Sequence, residues 1–272
     1  MAKRHYTSAI SQAFGKFASK EHSPLVQHAI NAAYVKLMGL DMSEFREPST
    51  YKSLNALFTR PLEKPRPMPN DPHTLISSVD ALVTDWGEIQ EGKAYQIKGM
   101  SYDIEGLFGV HHQAVVSAVE GGVFMNFYLS PKDYHRYHMP MDLQVKAITH
   151  IPGKLYPVNF PLLCNMPNLF IENERVILEC QDVQGRTHVL VLVGALNVGK
   201  MVVTFEPEVR TNSDITEPQH YTYDDLHLKR GELLGWFEMG STILHFAQKG
   251  AVVPELAINQ KVKFAEPIGK IL

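Results

Sequence analysis

Val189-Leu-Val-Leu-Val-Gly-Ala-Leu196 is the longest apolar run in the chain, and its reading decides the fold class. It is far short of the roughly 20 residues that a helix needs to span a bilayer. Its β-branched content and the glycine near its end read as a buried strand. Just upstream, Arg175-Val-Ile-Leu-Glu-Cys180 alternates, with Val176, Leu178 and Cys180 on one face. Val123–Leu129, Leu143–Ile148 and Lys200–Phe205 are further strand candidates. Ser78–Thr84, Met139–Val145 and Asn259–Gly269 share a faint pattern of a strand entering a small sandwich-like barrel. From Leu75 onward the texture is therefore short strands and turns, and the core is expected to be β-rich.

The first part of the chain reads differently. Residues 6 to 40 read as helical. Ser23-Pro24 sets a capping hydroxyl before a proline at the first helical position, and Gly39 can end the run. Val26, Ile30, Ala33, Leu37 and Leu40 recur at helical spacing, and Ile10, Phe14 and Phe17 form a shorter stripe beside Lys16 and Lys20. Such segments either pack on the core as a helical pair or lie on an anionic membrane, where each basic side chain contributes about 1 kcal/mol. Thr59–Pro69, with four prolines, is an extended belt leading into the strand region. The expected class is α+β: a β-rich, sandwich- or barrel-like core (residues 61–272) carrying N-terminal amphipathic helices (residues 1–60).

Composition narrows the function. The chain has 272 residues, 44% of them hydrophobic, enough for a substantial core. A formal net charge of -3 gives no global basic surface for nucleic acid. The charge is uneven: Lys3, Arg4, Lys16, Lys20 and Lys36 lie early, whereas Glu206, Glu208, Asp214, Glu217, Asp224 and Asp225 make a later stretch acidic. Two cysteines, Cys164 and Cys180, suggest ordinary thiols in a reducing compartment rather than a disulfide framework. No apolar stretch of signal-peptide length follows Met1-Ala-Lys-Arg-His5, so a soluble or peripheral protein is expected.

Three segments carry chemistry. Gly231-Glu-Leu-Leu-Gly-Trp-Phe-Glu-Met-Gly-Ser-Thr-Ile-Leu244 holds Gly240-Ser241-Thr242. Tyr128-Leu-Ser-Pro-Lys-Asp-Tyr-His-Arg-Tyr-His-Met-Pro140 offers His135 and His138, and Ser78-Val-Asp80 offers a carboxylate. Together they supply a nucleophile, a base and an orienting carboxylate. In a strained Gly240-Ser241 turn, the hydroxyl can add to the glycine carbonyl and convert the peptide bond to an ester. β-Elimination then frees a chain ending at Gly240, and the remaining dehydroalanine hydrolyses through an imine to a pyruvoyl ketone with loss of ammonia. A zinc site on His135 and His138, with His111 and His112, lacks the cysteine pairs or helical spacing that would make it specific, so no metal is expected.

These segments closely resemble the phosphatidylserine decarboxylase family, from about Asn55 to Ile271. Asn55-Ala-Leu-Phe-Thr-Arg-Pro-Leu62 with Arg66-Pro67 is similar to its aromatic-Thr-Arg-x-Leu segment. Tyr128–Pro140 is similar to its histidine segment. Pro167–Phe170 with Asn173–Val176, and Leu192–Ala195 with Val198-Gly199, are similar to two further blocks, and Gly231–Thr242 to its processing segment. The resemblance implies that Asp80, His138 and Ser241 form the self-cleavage relay at Gly240-Ser241. It implies that Ser241 becomes a covalent pyruvoyl cofactor that forms a Schiff base with substrate, and that His135 transfers a proton in decarboxylation. It further implies phosphatidylserine as substrate, phosphatidylethanolamine as product, and an anionic membrane surface met by the N-terminal part. The location implied is the cytoplasmic side of the cell membrane, with a peripheral attachment. Chains 1–240 and 241–272 would form a heterodimer, with a homodimer of these as a further assembly. Met239 stands where leucine is usual, a volume-conserving change. Ala81 stands where glycine is common, which would strain the backbone if that position required a positive φ. The alternatives are a serine hydrolase using Asp80, His138 and Ser241, although no Gly-x-Ser-x-Gly elbow surrounds Ser241, and a non-catalytic peripheral membrane-binding β-domain.

Overall fold

The structure is a computed structural model that describes residues 6–97, 100–158, 165–166, 168–196, 200–238 and 241–272. Helices α1 (Tyr6–Ser19) and α2 (Pro24–Met38) come first, followed by α3 (Leu54–Phe58). Next come β1 (Thr74–Ile76), β2 (Ala81–Glu88) and the hairpin β3 (Lys93–Ile97) and β4 (Met100–Asp103). After α4 (Ile104–Phe108) and α5 (Gln113–Val119) the chain enters β5 (Val123–Leu129), β6 (Arg136–His138) and β7 (Leu143–Ile151). The short α6 (Leu169–Glu172) precedes β8 (Arg175–Gln181), β9 (Thr187–Gly194) and β10 (Met201–Val203). β11 (Gln219–Leu228), β12 (Leu233–Phe237) and β13 (Ser241–Ala247) follow. β14 (Val252–Pro254), β15 (Lys261–Val262) and β16 (Pro267–Ile271) end the chain.

The α+β expectation holds, with open sheets in place of a closed barrel. Eight strands form one sheet in the order β11-β7-β8-β9-β13-β5-β2-β15, and its pairs are antiparallel. Two three-stranded sheets, β10-β12-β6 and β1-β16-β14, accompany it. The central strands carry Val, Ile and Leu on both faces because both are covered, which is why β9 reads as a continuous apolar run rather than an alternating one. Tyr102 of β4 and Phe108 of α4 meet Phe246 of β13 edge-on, at centroid separations of 6.4 and 5.1 Å. Cys180 is a buried free thiol, and Cys164 lies outside the described residues.

Several local expectations change. β10 is three residues long where Lys200–Phe205 was expected, and β2 begins only at Ala81. Asn259–Gly269 divides between β15 and the start of β16. α2 does begin at Pro24 and ends on Gly39 at φ 65°, but the Ser23 hydroxyl makes no capping bond. Its apolar stripe divides: Ile30 packs on the cluster of Tyr51, Leu54 and Leu57 and Leu40 is buried, while Val26, Ala33 and Leu37 are exposed. The buried positions are Gln27 and Asn31, because the Asn31 amide donates to the carbonyls of Pro48 and Tyr51, both at 2.9 Å. Leu25 and Leu37 stand 86% and 80% exposed, and Val26 and Met38 are exposed too. On α1, Phe14 packs with the cluster of Ala18, Tyr51, Leu54 and Leu57, whereas Phe17 faces outward and the side chain of Ile10 lies outside the described set. No described helix is long and apolar enough to cross a membrane.

Gly235 in β12 is where two backbones approach most closely. A Cβ there would strike the Val202 carbonyl of β10 and the Tyr137 ring of β6. Because the obstacle is backbone, no rotamer change relieves it. Gly235→Ala is therefore expected to destabilise the protein by about 1–3 kcal/mol, read as a lower urea midpoint.

Candidate active site

Ser241 opens β13 in the middle of the large sheet. It lies opposite Leu129 of β5 on one side and Gly194 of β9 on the other. Residues directly opposite in an antiparallel pair share a face, so Gly194 and Ser241 lie on the same face of the sheet. A Cβ at position 194 would itself press on Leu155 and the Glu174 carbonyl. Ser241 is fully buried, and its hydroxyl has no hydrogen-bond partner among the described residues. A buried hydroxyl left unmatched costs about 1–3 kcal/mol, and such a cost is tolerated where the group has chemical work to do. Gly240 and Met239 lie outside the described residues.

The histidine segment is brought to this point by pairing. β6 runs beside β12, the Phe237 N–H donates to the His135 carbonyl at 2.9 Å, and β12 leads four residues further to Ser241. His135 is fully buried with its ring against Phe58, centroids 4.0 Å apart. Its Nδ1–H donates to the Asp133 carbonyl at 2.8 Å, which leaves an unprotonated, unpartnered Nε2. Burial, with a smaller push from the Arg60 charge, lowers its pKa to about 3. Phe58 reaches His135 from α3, whose Ser53 hydroxyl caps the helix by accepting from the Ala56 N–H at 3.1 Å. The i, i+3, i+4 spacing of Leu54, Leu57 and Phe58 buries one face of that helix.

His138 is held at both nitrogens. Its Nδ1–H donates to the Gly231 carbonyl at 2.9 Å, and its Nε2 accepts from the Tyr134 hydroxyl at 3.0 Å. The Phe264 ring stacks on the imidazole at 3.7 Å and 13°. Burial foremost, aided by Arg136 and Arg66, lowers the His138 pKa to about 4, while burial pushes the Tyr134 hydroxyl up to about 12 and keeps it a donor. Asp80 makes no hydrogen bond to His138. Its carboxylate accepts from both terminal nitrogens of Arg66, one at 2.9 Å, and from the Phe264 N–H at 2.8 Å. Phe264 therefore joins the two, with its backbone on Asp80 and its ring on His138. Arg66 also donates to both oxygens of Glu44, at 2.8 and 2.9 Å, which holds that carboxyl below its usual range. Ala81 has no positive φ and opens β2, so the alanine at that position carries no backbone strain.

The structure thus sets His135 just before β6 and His138 at its end, links Asp80 to His138 through Phe264, and pairs β6 with β12, which ends four residues before Ser241. Neither histidine bonds the serine hydroxyl in this arrangement. Tyr134, Phe58 and Phe264 were given no role by sequence reasoning. Tyr134 was visible as part of the histidine segment, but Phe264 lies 126 positions from His138 with no motif to mark it. His111 and His112 lie elsewhere: His112 bonds Glu179 and Thr149, and His111 stacks on His220. Among the described residues, no group of three or more His, Cys, Asp or Glu side chains could hold a metal ion.

A buried serine thus heads a central strand, and burial keeps His135 and His138 neutral at pH 7. The family described as Phosphatidylserine decarboxylase matches residues 54–270. The chain belongs to that family. It is 44% identical over 265 residues to a phosphatidylserine decarboxylase proenzyme of Helicobacter pylori (strain Shi470), covering 97% of each chain. It is 40% identical over 268 residues to that of Campylobacter jejuni, covering 97% of this chain and 98% of the relative. To the Marinobacter nauticus proenzyme it is 36% identical over 270 residues, covering 97% and 93%.

The depressed histidine pKa values fix a pH dependence. Unfolded histidine takes up a proton near pH 6.5, whereas folded His135 and His138 resist it down to about 3 and 4. Their contribution is intact above pH 6.5 and is lost as the pH falls toward the folded values. Each accounts for about 2 kcal/mol lost between pH 7 and pH 5. Urea unfolding at the two pH values is expected to show this fall, and His135→Gln is expected to flatten it.

Proposed function

We propose that this protein converts phosphatidylserine to phosphatidylethanolamine and CO2, using a pyruvoyl group made from Ser241 when the chain cuts itself between Gly240 and Ser241. The observation that carries the reading is the buried, unpartnered Ser241 hydroxyl at the head of the central strand, in a chain whose relatives are named proenzymes. The buried Nε2 of His135, without a partner among the described residues, fits a proton-transfer role in such a site. The pyruvoyl ketone would supply the sink for the electron pair released as CO2 departs.

The residues divide the proton work. His138 is neutral at pH 7 and can act as base. Its Nε2 exchanges the Tyr134 hydroxyl for that of Ser241, takes the proton, and so frees the oxygen to add to the Gly240 carbonyl. Asp80 acts through Phe264, fixing the ring against which His138 lies. His135 Nε2 is the atom through which a proton passes in turnover, because Asp133 pins the other nitrogen as a donor. After cleavage, chain 241–272 stays with chain 1–240 as a heterodimer. β13 is paired along all seven residues to both β5 and β9, and Phe264 remains stacked on His138.

Ser241→Ala is expected to remain one polypeptide with no decarboxylase activity, and His138→Ala to cut on the order of a thousandfold more slowly. His135→Ala is expected to mature fully yet decarboxylate roughly 10²–10⁴-fold more slowly. Intact mass and CO2 release check all three. Two chains in the Ser241→Ala protein would overturn the proposal.

Access to a two-chain lipid requires contact with the bilayer, and the outward face of α1 and α2 supports peripheral docking at the cytoplasmic side of the cell membrane. Phe17, Leu25, Val26, Leu37 and Met38 are exposed there, with Lys16, Lys20 and Lys36 among them. Replacing Leu25 and Leu37 by Asp is expected to weaken binding to phosphatidylserine vesicles at least tenfold, since burying each leucine contributes about 1.5–3 kcal/mol. Self-cleavage is expected to be unaffected. Unchanged co-sedimentation would remove this face from the proposal.

A further inference from the structure

Arg60, in the Phe58-Thr-Arg-Pro-Leu62 segment, is 1% exposed and yet forms no ion pair with a carboxylate among the described residues. Its Nη2 donates to the Lys132 carbonyl at 3.0 Å, its Nη1 reaches the Leu57 carbonyl at 3.4 Å, and its Nε has no acceptor. The guanidinium lies 4.4 Å over the Phe45 ring. A buried cation held by backbone carbonyls alone is costly, and it lines a cleft of about 450 Å³ together with Phe45, Ser130 and Tyr134. Acidic residues line the cleft as well, but each has its donors. Glu44 and Asp80 are bound by Arg66, Asp133 by the Ser130 N–H and hydroxyl, and Asp41 by the Ser43 N–H. Arg60 is the buried cation of the cleft, within the field of Asp80 and Asp133 but bonded to neither, and Lys132 and Lys261 stand on its exposed rim.

Gly39, directly after the exposed Leu37 and Met38 of α2, lines the cleft, and so do Asp133 and Tyr134 of the histidine segment. Phe58, two residues before Arg60, lays its ring on His135, and the Arg60 charge contributes to the lowered pKa of that histidine.

We infer that Arg60 and its cleft form the subsite for the phosphodiester of the lipid headgroup, holding it between the membrane-facing end of α2 and the histidine segment. The inference rests on the decarboxylase reading. A guanidinium matches two phosphate oxygens at once, which a lysine ammonium does not.

The test uses the mature wild-type enzyme with Arg60→Gln, Arg60→Lys and the rim variant Lys132→Gln/Lys261→Gln, assayed on phosphatidylserine in mixed micelles. Arg60→Gln is expected to self-cleave and to raise KM about tenfold or more, the loss of one charge-assisted contact, with partial recovery in Arg60→Lys. Glycerophosphoethanolamine, which has the phosphodiester but no carboxylate, is expected to compete in the wild type and not in Arg60→Gln, whereas L-serine competes in neither. An unchanged KM in Arg60→Gln, or Arg60-dependent competition by L-serine, overturns the inference. If Arg60→Gln fails to fold, the rim variant decides: an unchanged affinity for glycerophosphoethanolamine by calorimetry overturns it. Loss of the decarboxylase reading shows separately, as a wild-type protein that binds glycerophosphoethanolamine through Arg60 but releases no CO2.

Discussion

The pairing of β13 with β5 on one side and β9 on the other is the constraint on which the rest depends. It puts Ser241 at a position where the backbone on both flanks is fixed and the side chain has nowhere to go but the interior. A hydroxyl in that setting gains no water and, among the described residues, no partner. The same pairing explains how a chain cut at this point can remain folded. The strand that begins with Ser241 is held by main-chain bonds on both edges, and those bonds do not depend on an intact peptide link before it.

Around that strand the protein keeps its histidines uncharged by burying them, and it uses aromatic rings to fix their orientation. Phe58 lies against His135 and Phe264 against His138, while backbone carbonyls fix which ring nitrogen carries the proton. Asp80 is not the direct partner of either imidazole. Its charge is matched by Arg66, and it also accepts from the N–H of Phe264, whose ring stacks on His138.

The N-terminal helices show the opposite allocation. In α2 the polar Asn31 is drawn inward because the Pro48 and Tyr51 carbonyls need donors, and the helix must then turn its leucines outward. An unpaired buried carbonyl and an exposed leucine carry comparable costs of about 1–3 kcal/mol. A membrane surface removes the second cost without restoring the first, which gives this face its physical interest.

Much of this was legible in the sequence. The apolar run of β9 and the alternation of β8 announced buried strands, Pro24 and Gly39 bounded α2, and the histidine and Gly240-Ser241-Thr242 segments marked the chemistry. The Ser23 cap was misread, and which way the α2 stripe faces was left open, since capping and facing depend on which neighbours offer donors and acceptors. The sequence by itself determined the residue types, the strand-forming pattern and the family, because these are local properties of composition and spacing. Only the tertiary structure decided that Phe264 links Asp80 to His138, that Arg60 is buried without a carboxylate, and that α2 shows its leucines to the outside. Those facts are contacts between residues tens to hundreds of positions apart, and they are set by which side chain reaches a given donor or ring first once the sheet has closed around β13.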